Sequence, residues 1–280
     1  MKAKVGIGIT AYSDLSTASV GASIFDAYGR LSARSVPNRM SNSGVKIPVN
    51  DRASFSTNWV HEIAWEVRDK PRGTRGIGNL VERSIRKQGS EWRRVGGLPG
   101  EGRLDIRSYK DPNGPDQIEI LQTFSPVLDW LGFFDALIEV SNPAHAMLDV
   151  FSGPENLRDD IFVGEVTRPY AGEGIFSRWK TATGAWHRPD PWRLEERRQY
   201  RFLPDLAWAT HLGPEFFGRY DAAYIQAHAA SCRSIGGGLR FTLTDSIEDA
   251  ANNTAKLAAK REELKAGFTG VDFGAAPRLN

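Results

Sequence analysis

The chain has 280 residues and a formal net charge of +2, which argues against the strongly basic surface of a dedicated nucleic-acid binder. No window approaches the ~18 consecutive apolar residues of a membrane helix, and the short apolar run at the N-terminus does not fit a signal peptide. The single cysteine, Cys232, cannot form an internal disulfide, which indicates a reducing compartment. We therefore expect a soluble cytoplasmic protein in which Cys232 is buried and inert.

The first third of the chain is predicted to contain two strands and two helices. Strands are expected at residues 5–12 and 21–25, and the second strand is expected to continue past a turn into residues 31–36. Apolar residues recurring every four positions predict an amphipathic helix over residues 56–68. A second helix is expected over residues 77–87, where a glycine follows the last apolar position.

A turn-rich segment then separates two alternating runs. Apolar and polar residues alternate over 104–109 and again over 118–124, and the sequence Asp111-Pro-Asn-Gly-Pro-Asp116 lies between them. Alternation on both sides of such a turn predicts an antiparallel β-hairpin.

A helix and a strand are predicted after this hairpin. Ser125 can act as the cap of the helix and Pro126 fits its first turn. Asn142 and the proline after it are expected to end the helix, and residues 144–151 are expected to return as a strand.

The C-terminal part repeats the order of strand and helix. Strands are expected over 206–212 and 239–244, and helices over 215–230 and 247–265, with a break at Gly218 in the first of these helices. This order of elements predicts an α+β fold with antiparallel sheets and flanking helices.

Composition divides the chain into three parts. Residues 1–151 form an N-terminal α+β half, residues 152–201 an irregular connecting segment rich in tryptophan and arginine, and residues 202–280 a C-terminal α+β half. Long irregular segments in compact proteins are often functional. We expect the two halves to pack as one globular unit.

No motif for catalysis, a metal or a cofactor is complete. Gly6 and Gly8 lack the third glycine of a dinucleotide-binding loop. Zinc-ligand spacing is absent among the histidines, which are His61, His145, His187, His211 and His228. We therefore expect no catalytic residue, no metal and no cofactor.

Carboxylates supply the alternative to this expectation. Asp105 and Glu119 fall on the two predicted hairpin strands and could face one another, as in a metal nuclease. Such a site would also place a lysine two positions after the second carboxylate, where this chain has Leu121. Glu173, between two glycines, is a further candidate acid. The competing interpretation is that these are solvent-facing strand and loop residues.

The connecting segment contains the predicted binding residues. Basic and aromatic side chains alternate over residues 178–193, a composition enriched at the centres of protein interfaces and also suited to stacking on bases. The near-neutral net charge favours a protein partner. The candidate contact residues are Arg178, Trp179, Trp186, Arg188, Trp192 and Arg193. The alternative is that the tryptophans pack in the core of the protein.

From Phe202 onward the chain resembles the immunity proteins of bacterial polymorphic-toxin and type VI secretion systems, especially the type called immunity protein 52. The resembling residues are Leu203-Pro-Asp-Leu-Ala-Trp208-Ala-Thr-His-Leu-Gly213-Pro214, Asp221, Gly236-Gly-Gly-Leu-Arg-Phe-Thr-Leu-Thr244 and Asn252-Asn253.

The resemblance implies a non-enzymatic α+β protein that binds and neutralises a cognate toxin, often a nuclease of restriction-enzyme-like fold. Many inhibitors of nucleases are acidic, and this chain is not. Two other functions stay open: a carboxylate-based hydrolase using Asp105, Glu119 or Glu173, and a phage or secretion assembly protein.

Overall fold

Strands and helices alternate through the part of the chain that this computed structural model describes, namely residues 3–42, 45–59, 90–93, 102–107, 116–151, 202–203 and 205–273. The described strands are β1 (Lys4–Ala11), β2 (Arg39–Asn42), β3 (Val45–Pro48), β4 (Ser90–Arg93), β5 (Gly102–Arg107), β6 (Asp116–Thr123), β7 (His145–Phe151), β8 (Phe202–Leu203), β9 (Ala209–Leu212), β10 (Ser231–Ile235), β11 (Gly238–Thr242) and β12 (Asp272–Phe273). The described helices are α1 (Ala18–Leu31), α2 (Arg52–Trp59), α3 (Trp130–Ser141), α4 (Ala222–His228), α5 (Glu248–Asn252) and α6 (Thr254–Lys265), with a 3₁₀ turn at Pro214–Phe216.

Ten of the strands form one sheet in the order β10-β11-β9-β7-β1-β6-β5-β4-β2-β3. Each neighbouring pair in this sheet is antiparallel. A separate two-stranded sheet pairs β8 with β12 in parallel. The predicted α+β class with antiparallel sheets and flanking helices is confirmed.

Helices cover both faces of the sheet. Arg240 of β11 bonds to Asp135 of α3, which places α3 over one face. Asp149 of β7 accepts a hydrogen bond from Arg261 of α6 at 2.9 Å, which places α6 over the other. The strand register puts Ile9 on the α3 side, so the alternate apolar residues of β1 pack beneath that helix.

Residues 18–31 form helix α1, so the strands predicted at 21–25 and 31–36 are wrong. Thr17 accepts a hydrogen bond from the backbone N–H of Val20 and caps the helix. The buried residues Ile24, Tyr28 and Leu31 recur at helical spacing and make one apolar stripe. Glycine and other small residues interrupt the apolar pattern of this segment, so its helical period is hard to recognise in the sequence.

Helix α2 begins at Arg52, four residues before the predicted start, and the described part of it ends at Trp59. The rest of the helix predicted to residue 68, and the helix predicted over 77–87, lie outside the described residues. Trp59 anchors α2 because its indole N–H donates to the carbonyl of Leu15 at 2.7 Å.

Helix α3 begins at Trp130, so the predicted start at Ser125-Pro126 is wrong. Asp129, rather than Ser125, is the cap, because its carboxylate accepts from the backbone N–H of Gly132 at 2.8 Å. Ser125 instead offers its carbonyl to the indole N–H of Trp130, which holds residues 125–129 as a turn. The predicted end is confirmed, since Asn142 adopts a left-handed conformation there.

The hairpin predicted around the turn at residues 111–116 is confirmed. Strand β5 pairs antiparallel with β6, and Asp105 lies directly opposite Glu119. The strand predicted over 144–151 is also confirmed as β7.

The C-terminal elements are shorter than predicted. Strand β9 covers only Ala209–Leu212. The helix expected over 215–230 is divided into a 3₁₀ turn and α4, with the predicted break at Gly218, where φ is +78°. The last helix is interrupted at Asn253, whose side chain accepts from the backbone N–H of Lys256 and starts α6.

Strand β10, which the sequence did not predict, forms a hairpin with β11. Gly236 and Gly237 connect the two strands with φ values of +55° and +70°. Two consecutive residues at positive φ make the tight turn whose twist matches antiparallel strands. The mostly polar sequence of β10 hid the strand, because four of its five residues are exposed or half-buried.

Candidate functional site

The six binding residues predicted from the sequence lie outside the described part of the structure. They are Arg178, Trp179, Trp186, Arg188, Trp192 and Arg193, and Glu173 lies outside it as well. The contact surface predicted for residues 178–193 therefore stays a prediction.

The strand register pairs the backbone positions of two other residues named from the sequence. Asp105 and Glu119 are direct partners in the β5–β6 register. The side chain of Glu119 is 4% exposed, so it does not face solvent as the competing interpretation expected. A buried carboxylate needs compensating partners, and Glu119 has interactions of this kind.

Two histidines lie buried on neighbouring strands. Burial lowers the pKa of His145 to about 3 and that of His211 to about 4, so both rings are neutral near pH 7. The Nε2 atom of His211 lies 3.0 Å from the carbonyl oxygen of Ile235. Within the described ranges, no group of three or more His, Cys, Asp or Glu side chains is placed to hold a metal ion.

The residues that carry the family resemblance have structural roles. The indole N–H of Trp208 donates to the hydroxyl of Thr244 at 3.0 Å in the core. A side chain at Gly238 would collide with the carbonyl of Leu212, so the close strand contact requires glycine there. Asp221 caps α4 by accepting from two backbone N–H groups. These three residues of the resembling pattern therefore help to hold the fold together.

A network of charges links α3 to the β10–β11 hairpin. The carboxylate of Asp135 accepts from Nε and Nη2 of Arg240 at 2.9 and 3.0 Å, and from Nη1 of Arg233 at 3.0 Å. Glu139, one turn further along α3, lies 4.0 Å from the same Arg233. The Arg240 pair is buried, whereas Arg233 and Glu139 are more than half exposed.

A groove of about 380 Å³ runs beside this network, between α1 and α3. The α1 wall consists of residues at helical spacing on the outer face of that helix, which are Ser19, Val20, Ser23, Asp26 and Arg30. The α3 wall consists of Ala136, Glu139 and Val140. The lining therefore combines short apolar side chains, two hydroxyls and charges of both signs.

Arg30 differs from the other charged residues of the groove. Asp26 accepts two hydrogen bonds from Nε of Arg52, at 2.8 and 3.0 Å, and Glu139 lies near Arg233. Asp26 would be the natural i to i+4 partner of Arg30 on a helix, but Arg52 occupies it. Among the residues that the structure describes, Arg30 has no ion-pair or hydrogen-bond partner.

Sequence reasoning did not find this groove. Its α1 wall could have been recognised from the polar positions 19, 23, 26 and 30, but only after residues 18–31 had been identified as a helix. Its α3 wall joins the first wall through tertiary packing, for which the sequence carries no local signal.

Comparison with known proteins shows a likeness of fold and none of sequence. No family model matches the chain, and no curated protein matches it by sequence. The topology is that of an α+β protein with one extended antiparallel sheet and helices on both faces. A solved structure, the Pseudomonas aeruginosa T6SS protein PA0821, has a similar fold, with a TM-score of 0.54 and 10% sequence identity over 100% of this chain and 77% of that one.

The lengths of the helices also bear on membrane insertion. Of the helices that the structure describes, none combines the length and the apolar character needed to cross a bilayer.

Proposed function

We propose that this chain is an immunity protein associated with a type VI secretion system, which binds a cognate toxin and neutralises it by protein–protein contact. The observation that carries the proposal is the fold likeness to PA0821, a T6SS protein, along the whole length of this chain. The C-terminal resemblance to immunity proteins supports the same assignment from the sequence.

The two lines of support have different origins. The fold likeness concerns the path of the backbone, whereas the resemblance concerns residues such as Trp208 and Gly238, which hold the C-terminal strands together. A shared fold alone does not define a function, so the proposal rests on their agreement. An immunity protein also requires only a rigid surface that covers its toxin, on the order of 1,600 Å² of total buried area.

The direct test starts from the genes that flank the gene for this chain, among which we expect one of toxin type. Its product is expressed in a bacterial host alone and together with this chain, and the two purified proteins are mixed for calorimetry. We expect growth arrest by the toxin alone, growth with both proteins, and a saturable binding curve. The control is an unrelated toxin that arrests the same host, against which this chain should give no protection. Continued arrest and no measurable binding would reject the proposal.

A carboxylate-based hydrolase is the second candidate, and the buried Glu119 opposite Asp105 is the observation that favours it. The substitution Glu119→Gln separates the two functions, because it removes the charge and keeps the shape of the side chain. An immunity protein that acts by contact should protect as before if the variant stays folded. A hydrolase should lose its activity with the carboxylate.

A further inference from the structure

We infer that the groove between α1 and α3 binds a segment of the toxin that presents a carboxylate to Arg30. This inference rests on the proposed function and adds to it the place of contact and the chemistry of the partner.

The charges around the groove favour an acidic partner. Its lining contains three charged side chains, Asp26, Arg30 and Glu139. Asp26 pairs with Arg52, and Glu139 lies 4.0 Å from Arg233, so both carboxylates have an arginine beside them. Arg30 is therefore the one charged side chain of the lining that has no partner among the described residues. Guanidinium groups bind carboxylates through two parallel hydrogen bonds.

Hydroxyl groups near Arg30 extend the same chemistry. Ser19 and Ser23 line the groove on the same helix. Ser23 is half-buried and has no hydrogen-bond partner within the described residues. A hydroxyl can donate to a carboxylate oxygen or to a backbone carbonyl of an entering segment. Polar contacts of this kind would orient the segment along α1.

Aromatic packing joins the two helices that form the walls of the groove. The rings of Tyr28 on α1 and Phe133 on α3 meet edge to face beneath it, with centroids 4.7 Å apart. Both residues are buried, and Val140 and Ala136 supply an apolar surface above them. A surface that keeps its shape on binding loses little conformational freedom, which favours affinity.

The groove is too small to form a whole interface. A stable protein complex buries at least about 1,200 Å² in total, so the groove provides one anchor within a larger contact area. The predicted segment 178–193 is a candidate for other anchors, and the two hypotheses can be tested separately.

The test compares Arg30→Glu with Arg34→Glu. Both variants change the net charge equally, and Arg34 is exposed just beyond α1 but does not line the groove. Binding to the product of the neighbouring toxin gene is measured by calorimetry at two salt concentrations. We expect Arg30→Glu to weaken binding at least about tenfold, since it places like charges together, and Arg34→Glu to weaken it less than about threefold.

A second variant tests the space instead of the charge. Ser23→Trp fills the groove without changing the net charge, and it should also weaken binding at least about tenfold, as blocking of an anchor pocket does. Melting curves show whether each variant is folded. A photo-crosslinking residue placed at position 23 should capture a toxin peptide that contains Asp or Glu.

The outcomes separate the two proposals. If the wild-type chain binds and neutralises the toxin but folded Arg30→Glu and Ser23→Trp bind equally well, the groove inference is wrong and the immunity function stands. Capture of a toxin peptide without acidic residues would also overturn the inference. If the wild-type chain does not bind the toxin, both proposals are rejected.

Discussion

Asp135 and Arg240 form a buried two-pronged ion pair, with Nε and Nη2 of the arginine 2.9 and 3.0 Å from the two carboxylate oxygens. The pair fixes α3 against β11, and Arg233 adds a third hydrogen bond to the same carboxylate. Removing one member of such a pair leaves an uncompensated buried charge, which costs more than the pair itself contributes.

We therefore expect Asp135→Asn to lower the free energy of unfolding by about 3–5 kcal/mol, as for other broken buried pairs. The matched control is Glu139→Gln on the same helix, whose exposed carboxylate is 4.0 Å from Arg233 and should contribute less than about 1 kcal/mol. Urea denaturation of both variants gives the comparison. Equal and small effects would show that the buried pair does not hold α3 in place.

Two glycines of α1 provide a second prediction. A Cβ atom at Gly21 would lie 2.5 Å from Cβ of Trp59, whereas one at Gly29 would meet nothing within 4 Å. Gly21→Ala should therefore destabilise by about 1–3 kcal/mol through overpacking against α2. Gly29→Ala should stabilise by about 0.5–1 kcal/mol, because alanine favours the helix. Melting temperatures that move in the same direction would contradict this packing.

The buried histidines predict a dependence of stability on pH. In the folded protein the pKa values of His145 and His211 are about 3 and 4, below the ordinary value of 6.5. The unfolded chain therefore binds more protons below pH 6.5, so stability falls as the pH is lowered from about 6.5 towards 4. The ring of His145 lies beside Phe216, and the charge of His211 also lowers the pKa of His145. The charge of Asp135 raises the pKa of His211, whereas that of Arg240 lowers it.

Each histidine should reduce stability by about 2 kcal/mol between pH 7.5 and pH 5, from the difference between the folded and unfolded pKa values. The measurement is urea denaturation at both pH values for the wild type, His145→Gln and His228→Gln. The first variant should show a pH effect smaller by about 2 kcal/mol, whatever its stability at pH 7.5. The half-exposed His228 is the control for a histidine-to-glutamine change outside the core.

The sequence prediction for the connecting segment can be tested in the same binding assay. If Trp186 is an interface anchor, Trp186→Ala should weaken toxin binding at least about thirtyfold with little change in melting temperature. If it is a core residue, the variant should lose about 3–5 kcal/mol of folding stability. Trp179→Ala and Trp192→Ala extend the test, and unchanged binding in all three would place the interface elsewhere.

The elements predicted correctly are those whose signal is local. The β5–β6 hairpin has alternating strands on both sides of a turn. Strand β1 alternates apolar residues with glycines, and β7 is mostly apolar. Helix α1 was missed because its buried stripe includes Gly21 and Ala22, small residues whose burial depends on the close approach of Trp59.

The candidate site was harder to predict than the fold. Arg30, Glu139 and Arg233 lie 109 and 94 residues apart in the sequence, and each alone is an ordinary surface charge. Arg30 differs because Asp26, its neighbour on α1, is already paired with Arg52. That ion pair forms only when α2 packs against α1. The hairpin pattern, by contrast, was enough to predict that Asp105 and Glu119 lie on neighbouring strands and could pair across them.

The central position of β1 has a consequence for folding during synthesis. Lys4 pairs with Thr123 on one side, 119 residues along the chain, and with Phe151 on the other. At typical rates of about 5–20 residues per second, the ribosome needs roughly 6–24 s to make the first of these partners. Until then the apolar strand at the start of the chain has neither neighbour, so non-local pairing should make folding slow and dependent on protection from aggregation.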